Sequence, residues 1–245
     1  MKTRTLVFLL LLCLGRIALA QAVASVTHLS GVLTATHADG SSKLLALRSE
    51  VLLGDTLMTE RDTYARLKFA DASEIVLRPG SRLKVEKFHY EPARPEADSL
   101  FVSLLKGGMR AVSGLVGKRS RDAVKYTTPT ATIGIRGTHF GALFCHGDCA
   151  DVPTADGAPP ADGLYLDVAS GAILLSNGAG NALVNSGEFG YVRDAATAPV
   201  VVPAPQGIQV TMPASISRNA AADTADTADA AGGTGGSSAA QCVVR

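Results

Sequence analysis

Between Val23 and Phe140 apolar and polar side chains alternate with a period of two, and this constrains the fold more than any other feature of the chain. Tyr64-Ala65-Arg66-Leu67-Lys68-Phe69, Glu74-Ile75-Val76-Leu77 and Arg82-Leu83-Lys84-Val85-Glu86-Lys87-Phe88 all carry it. Turn formers separate them, at Ala70-Asp71-Ala72-Ser73 and Arg78-Pro79-Gly80-Ser81. Strands of five to seven residues, broken at such short intervals, leave no room for crossover helices. The expected fold is all-β: a β-sandwich or an irregular β-solenoid of many short strands. Aromatic residues are 5% of the chain and Trp is absent, so the core must be built from Val, Leu, Ile and Ala.

The pattern continues in pieces. Glu91 to Asp98, with Pro92 and Pro95, reads as a loop, and Ser99 to Leu105 as a buried strand. Gly107-Gly108 reads as the turn after it, and Arg110 to Gly117 as another short strand. Gly114-Leu115-Val116-Gly117-Lys118 is no phosphate loop, because its glycine spacing is wrong and Arg119 stands where Ser or Thr would hold magnesium. Asp151 to Asp162 is loop, and short strands follow from Leu164 to Val192, with a tight-turn signal at Asn177-Gly178. The expected organisation is a leader over 1–20, a β domain over 21–145 and a loop over 146–163. A β extension over 164–200 completes the same fold, and 201–245 forms a Pro/Ala/Gly-rich disordered tail.

Lys2 and Arg4, the apolar run from Leu6 to Leu14, and small residues at Ala18 and Ala20 follow the plan of a cleaved signal peptide. The run is too short for a membrane span, and no later segment approaches that length. The expected location is the periplasm, with the cell surface or medium as alternatives. Cleavage before Gln21 takes the 23 basic residues to 20, against 22 acidic ones. A near-neutral chain exerts no long-range pull on nucleic acid, so none is expected as a partner. Charges such as Arg66, Lys68, Arg82, Lys84, Glu86 and Lys87 read as a solvated sheet face.

Export places Cys145, Cys149 and Cys242 in an oxidising compartment. Cys145-His146-Gly147-Asp148-Cys149 is a tight loop whose glycine permits reversal, so a local disulfide is the first reading. A metal site of His139, Cys145, His146 and Cys149 is the alternative, although its spacing is not a standard zinc pattern. Cys242 is either free or pairs between molecules.

Gly54-Asp55-Thr56-Leu57-Met58-Thr59, the alternating strand Ala65 to Phe69, the turn Asp71-Ala72-Ser73, Pro79-Gly80-Ser81, Thr128-Pro129-Thr130-Ala131 and Arg136-Gly137-Thr138-His139-Phe140 together resemble the FecR domain. The resemblance covers about residues 45 to 140 and departs from the family pattern at Ala72, where Gly is usual. It implies a β-rich, typically exported domain. In the founding iron-citrate sensor, a cytoplasmic anti-sigma segment and a membrane helix precede this domain. Here only the leader does, so the chain resembles the stand-alone secreted subgroup.

Catalysis needs converging groups, and the sequence offers no Gly-x-Ser-x-Gly or His-Glu-x-x-His motif. His28, His37, His89, His139 and His146 are scattered. The expectation is a non-enzymatic protein without cofactor or metal that binds a protein or envelope partner. The alternatives are a periplasmic signalling component and a structural or secretion-associated surface protein. Arg136, between Gly134 and Gly137 and followed by Thr138, is the candidate structural or contact residue. Its expected role is structural: satisfying carbonyls at a bulge, or tying to Asp55 or Asp71 where the glycines imply close packing.

Overall fold

The computed structural model describes residues 21–120, 122–135, 137–152, 154, 157–203, 207–213 and 216. The leader 1–20, Arg136, Cys242 and most of the tail therefore lie outside the described residues.

Seventeen strands occupy the described chain. The first eight are β1 Ala22–Leu29, β2 Leu33–Thr36, β3 Ser42–Leu45, β4 Glu50–Leu52, β5 Thr56–Thr59, β6 Ala65–Phe69, β7 Glu74–Leu77 and β8 Arg82–His89. A 14-residue strand follows, β9 Ser99–Val112, and then a short helix, α1 Leu115–Arg119. The rest are β10 Val124–Thr127, β11 Thr132–Ile135, β12 His139–Cys145, β13 Gly163–Ser170, β14 Ala172–Asn177, β15 Gly180–Asn185, β16 Phe189–Val192 and β17 Val200–Val202.

The strands pair into two sheets. One runs β4-β1-β6-β7-β9-β12-β13-β16-β17. The other runs β3-β2-β5-β8-β9-β10-β11-β14-β15. Strand β9 belongs to both: Ser99 to Lys106 pairs in the second sheet and Gly107 to Val112 in the first. All pairings are antiparallel except β9–β10. The inner faces meet as a sandwich. Phe69 of β6 packs on Phe88 of β8 at 5.5 Å, and Tyr126 of β10 meets Phe140 of β12 edge-on at 5.2 Å.

The alternation seen in the sequence fills this core. Leu67, Ile75 and Met109 point inward from one sheet, and Leu57, Leu83 and Ile133 from the other. Each fully buried aliphatic side chain of this kind contributes about 1.5–3 kcal/mol. Glu86-Lys87 breaks the period in β8, and a register shift between Val85 and Lys87 returns Phe88 to the core.

Four expectations are corrected. Gly107-Gly108 is not a turn, because β9 runs through it as the chain passes between sheets. A Cβ on Gly107 would stand 2.7 Å from Ser81 Cα, so the missing side chain admits Ser81 rather than reversing the chain. Leu115 to Gly117 is helical, not a strand, because Asp71 caps that turn. Arg66, expected on a solvated face, is buried. The fold also does not end at residue 200: β17 pairs with β16, and Val210 is fully buried.

Residues up to Val210 form one unit and those from Thr211 a second. In the second, Ile216 N donates to the Pro213 carbonyl. Among the described residues, no helix is long and apolar enough to cross a membrane.

Candidate functional site

The motif residues form buried hydrogen-bond hubs. Asp55, 1% exposed, accepts from Leu52 N at 2.8 Å and lies 2.6 Å from His37 Nδ1. Thr59 Oγ1 donates to the Arg78 carbonyl and accepts from Ser81 N. Ser81 Oγ then donates to the Gly108 carbonyl at 2.8 Å and accepts from Gly108 N at 2.9 Å. The Gly-Asp-x-x-x-Thr step, the Pro-x-Ser turn and the middle of β9 are thereby locked together. In the Asp71-Ala72-Ser73 turn, the Asp71 carboxylate accepts from Ser73 N and Val116 N, and its carbonyl from Leu115 N. That turn therefore supplies the N-terminal cap of α1.

A groove of about 790 Å³ lies beside the Thr59–Ser81–Gly108 lock. Arg78, Pro79, Gly80, Gly107, Gly108 and Leu143 line it, with Arg61, Asp62, Tyr64 and Lys106 around them. Gly147, Asp148, Cys149, Asp151 and Val152 form the remaining wall. The Cys145–Cys149 loop shapes that wall: the two sulfurs lie at disulfide distance, with Cα atoms 5.5 Å apart. Asp148 reaches back to Lys106 at 3.3 Å and accepts from His146 N. The groove is thus lined by both cationic and anionic side chains. Such a lining suits short-range, oriented polar contacts rather than long-range attraction.

The structure does not bring the metal alternative together. Cys145 and Cys149 face each other, His146 is exposed beside Asp162, and His139 Nε2 accepts from Arg110 Nε at 3.2 Å. Arg110 also donates to Asp167 and to the Val210 carbonyl, while Val210 N donates to Asp167. Burial, and next the Arg110 guanidinium, hold the His139 pKa below its ordinary value.

Around Arg136 the close-packing expectation is also corrected. A Cβ on Gly134 would make only ordinary contact with Leu174, and one on Gly137 would meet nothing within 4 Å. Gly137 is required by its φ of +63° instead. Thr138 is buried and ties to Ser113, donating its N–H to Ser113 Oγ. Asp55, Gly134, Gly137 and Thr138 lie outside the groove lining. Reading the sequence singled out Cys149 of that lining but missed Arg61, Arg78 and Lys106. Arg78 reads only as part of a turn, and only the fold brings it together with Arg61 and Lys106.

A family model described as FecR protein matches residues 55–158. No curated protein matches the chain. Among solved structures, a cell surface anchoring domain is 23% identical, with 26% of this chain and 84% of that one covered and a TM-score of 0.26. A candidate anti-sigma factor from Parabacteroides distasonis ATCC 8503, solved twice, is 12% and 11% identical with TM-scores of 0.43 and 0.42. Those alignments cover 60% of this chain and 58% of that one, so the chain spans less than two thirds of that relative. Every residue lining the groove falls within 55–158. Residues 55–158 of this chain are a FecR-type region.

Proposed function

We propose that the chain is an exported, non-enzymatic FecR-type protein whose groove receives part of a protein or cell-envelope partner. The observation that carries this reading is the groove, whose whole lining comes from the FecR-matched residues. Its cationic and anionic side chains offer oriented donors and acceptors to a partner. Export is supported by the signal-like plan of residues 1–20 and by a cysteine pair suited to an oxidising compartment. The family match also favours a second reading, a periplasmic signalling component that works beside a separate membrane protein.

One experiment tests both. The full-length gene, tagged at its C-terminus, is expressed in a bacterial host and crosslinked in the intact envelope. The recovered protein is expected to begin at Gln21 and to hold a discrete partner that excess untagged protein displaces. A captured outer-membrane receptor or sigma regulator favours signalling. An intact Met1, or no displaceable partner, overturns the proposal.

A further inference from the structure

The groove holds two guanidiniums, Arg61 and Arg78, with no carboxylate within salt-bridge distance among the described residues, and of these Arg78 carries a buried nitrogen. Arg94, Arg110, Arg119 and Arg193 each lie within salt-bridge distance of a carboxylate. Among the described residues none lies that close to Arg78, and its buried Nε has no hydrogen-bond acceptor. Asp148, the acid on the opposite wall, is already paired with Lys106 and His146 N. Arg78 is held in place from behind: its carbonyl accepts from Thr59 Oγ1, and its N–H donates to the Gly108 carbonyl. Its Cδ lies so close to Gly108 that an added Cβ there would stand 3.0 Å away. At the rim, a Cβ on Gly80 or Gly147 would meet nothing within 4 Å, so approach is open.

A partly desolvated guanidinium without a counter-charge is costly, and a planar carboxylate satisfies it through two parallel hydrogen bonds. We propose that Arg78 is the anchor of a carboxylate-binding site and that the partner presents an acidic side chain or a C-terminal carboxylate to it. This deepens the proposed function and rests on that reading. Arg61 adds a second cation at the groove. Asp62 and Asp151 offset the overall charge and favour a single carboxylate over a polyanion.

The test uses chain beginning at Gln21, labelled with ¹⁵N-arginine, titrated with sodium acetate against sodium chloride at matched ionic strength. The Nε–Hε resonance that disappears in Arg78→Gln identifies the group. It is expected to shift saturably with acetate and not with chloride. Arg78→Lys, uniformly ¹⁵N-labelled and followed at the backbone amides of Arg61, Gly80 and Gly108 alongside equally labelled wild type, should weaken acetate binding about tenfold, because an ammonium offers no planar fork. Arg78→Gln should melt where the wild type does, since no intramolecular ion pair is lost; a large fall in melting temperature would make Arg78 structural and overturn the proposal. An Arg78 resonance that follows chloride equally, or saturates with inorganic phosphate but not acetate, would also overturn it. Acetate binding without a captured partner sinks only the proposed function. A partner held equally well by Arg78→Gln sinks only this inference.

Discussion

At Ala72 the backbone takes φ +62°, a conformation in which a Cβ crowds the following carbonyl. This is the position where the FecR pattern favours Gly, and the structure supplies the reason. Ala72→Gly should raise stability by about 0.5–1 kcal/mol, because relief of the left-handed strain exceeds the added unfolded-state entropy. Chemical denaturation measures this, and an unchanged or lowered midpoint would contradict it. His139 yields a pH dependence. Its folded pKa lies below its unfolded value of about 6.5, so the unfolded chain takes up the proton first. The stability from neutral His139 is fully present above that value and is lost as pH falls toward the depressed one. His139→Gln, which keeps an acceptor for Arg110, should flatten the fall in melting temperature as pH drops below about 6.5. An identical slope in both proteins would show that His139 does not carry it. The Asp71 and Asp55 motifs were legible as residues but not as a cap and a hub, because a carboxylate's partners come from distant strands.

At the scale of elements, the strands between residues 65 and 89 were legible because one face of each is buried, which imposes an alternation interrupted only at the buried Arg66 and at Glu86-Lys87. Gly107-Gly108 misled for a physical reason. Paired glycines mark turns when the chain must reverse, but here they allow one strand to pass close by Ser81 and change sheets. Gly207 and Val210 were assigned to a tail for a similar reason. Nothing in Val201-Val202-Pro203 announces that Arg110 and Asp167 will grip Val210 on the sheet. The Cys145–Cys149 loop is short, so closing it should stabilise the fold by only about 2 kcal/mol. Urea unfolding with and without reductant reads that difference. No loss on reduction would mean that the cysteines are not joined in solution.

At the scale of the whole molecule, the all-β class followed from periodicity, while sandwich and solenoid could not be separated. That distinction depends on which strands pair, and period two does not encode pairing. The answer lies in β9, with strands β1 to β8 on one side of it in both sheets and β10 to β17 on the other. This position has a kinetic consequence. A chain that emerges N-terminus first can complete β1 to β9 early, leaving one margin of β9 with unpaired amides and carbonyls. That margin stays adhesive until β10 and β12 arrive along its two halves and close it.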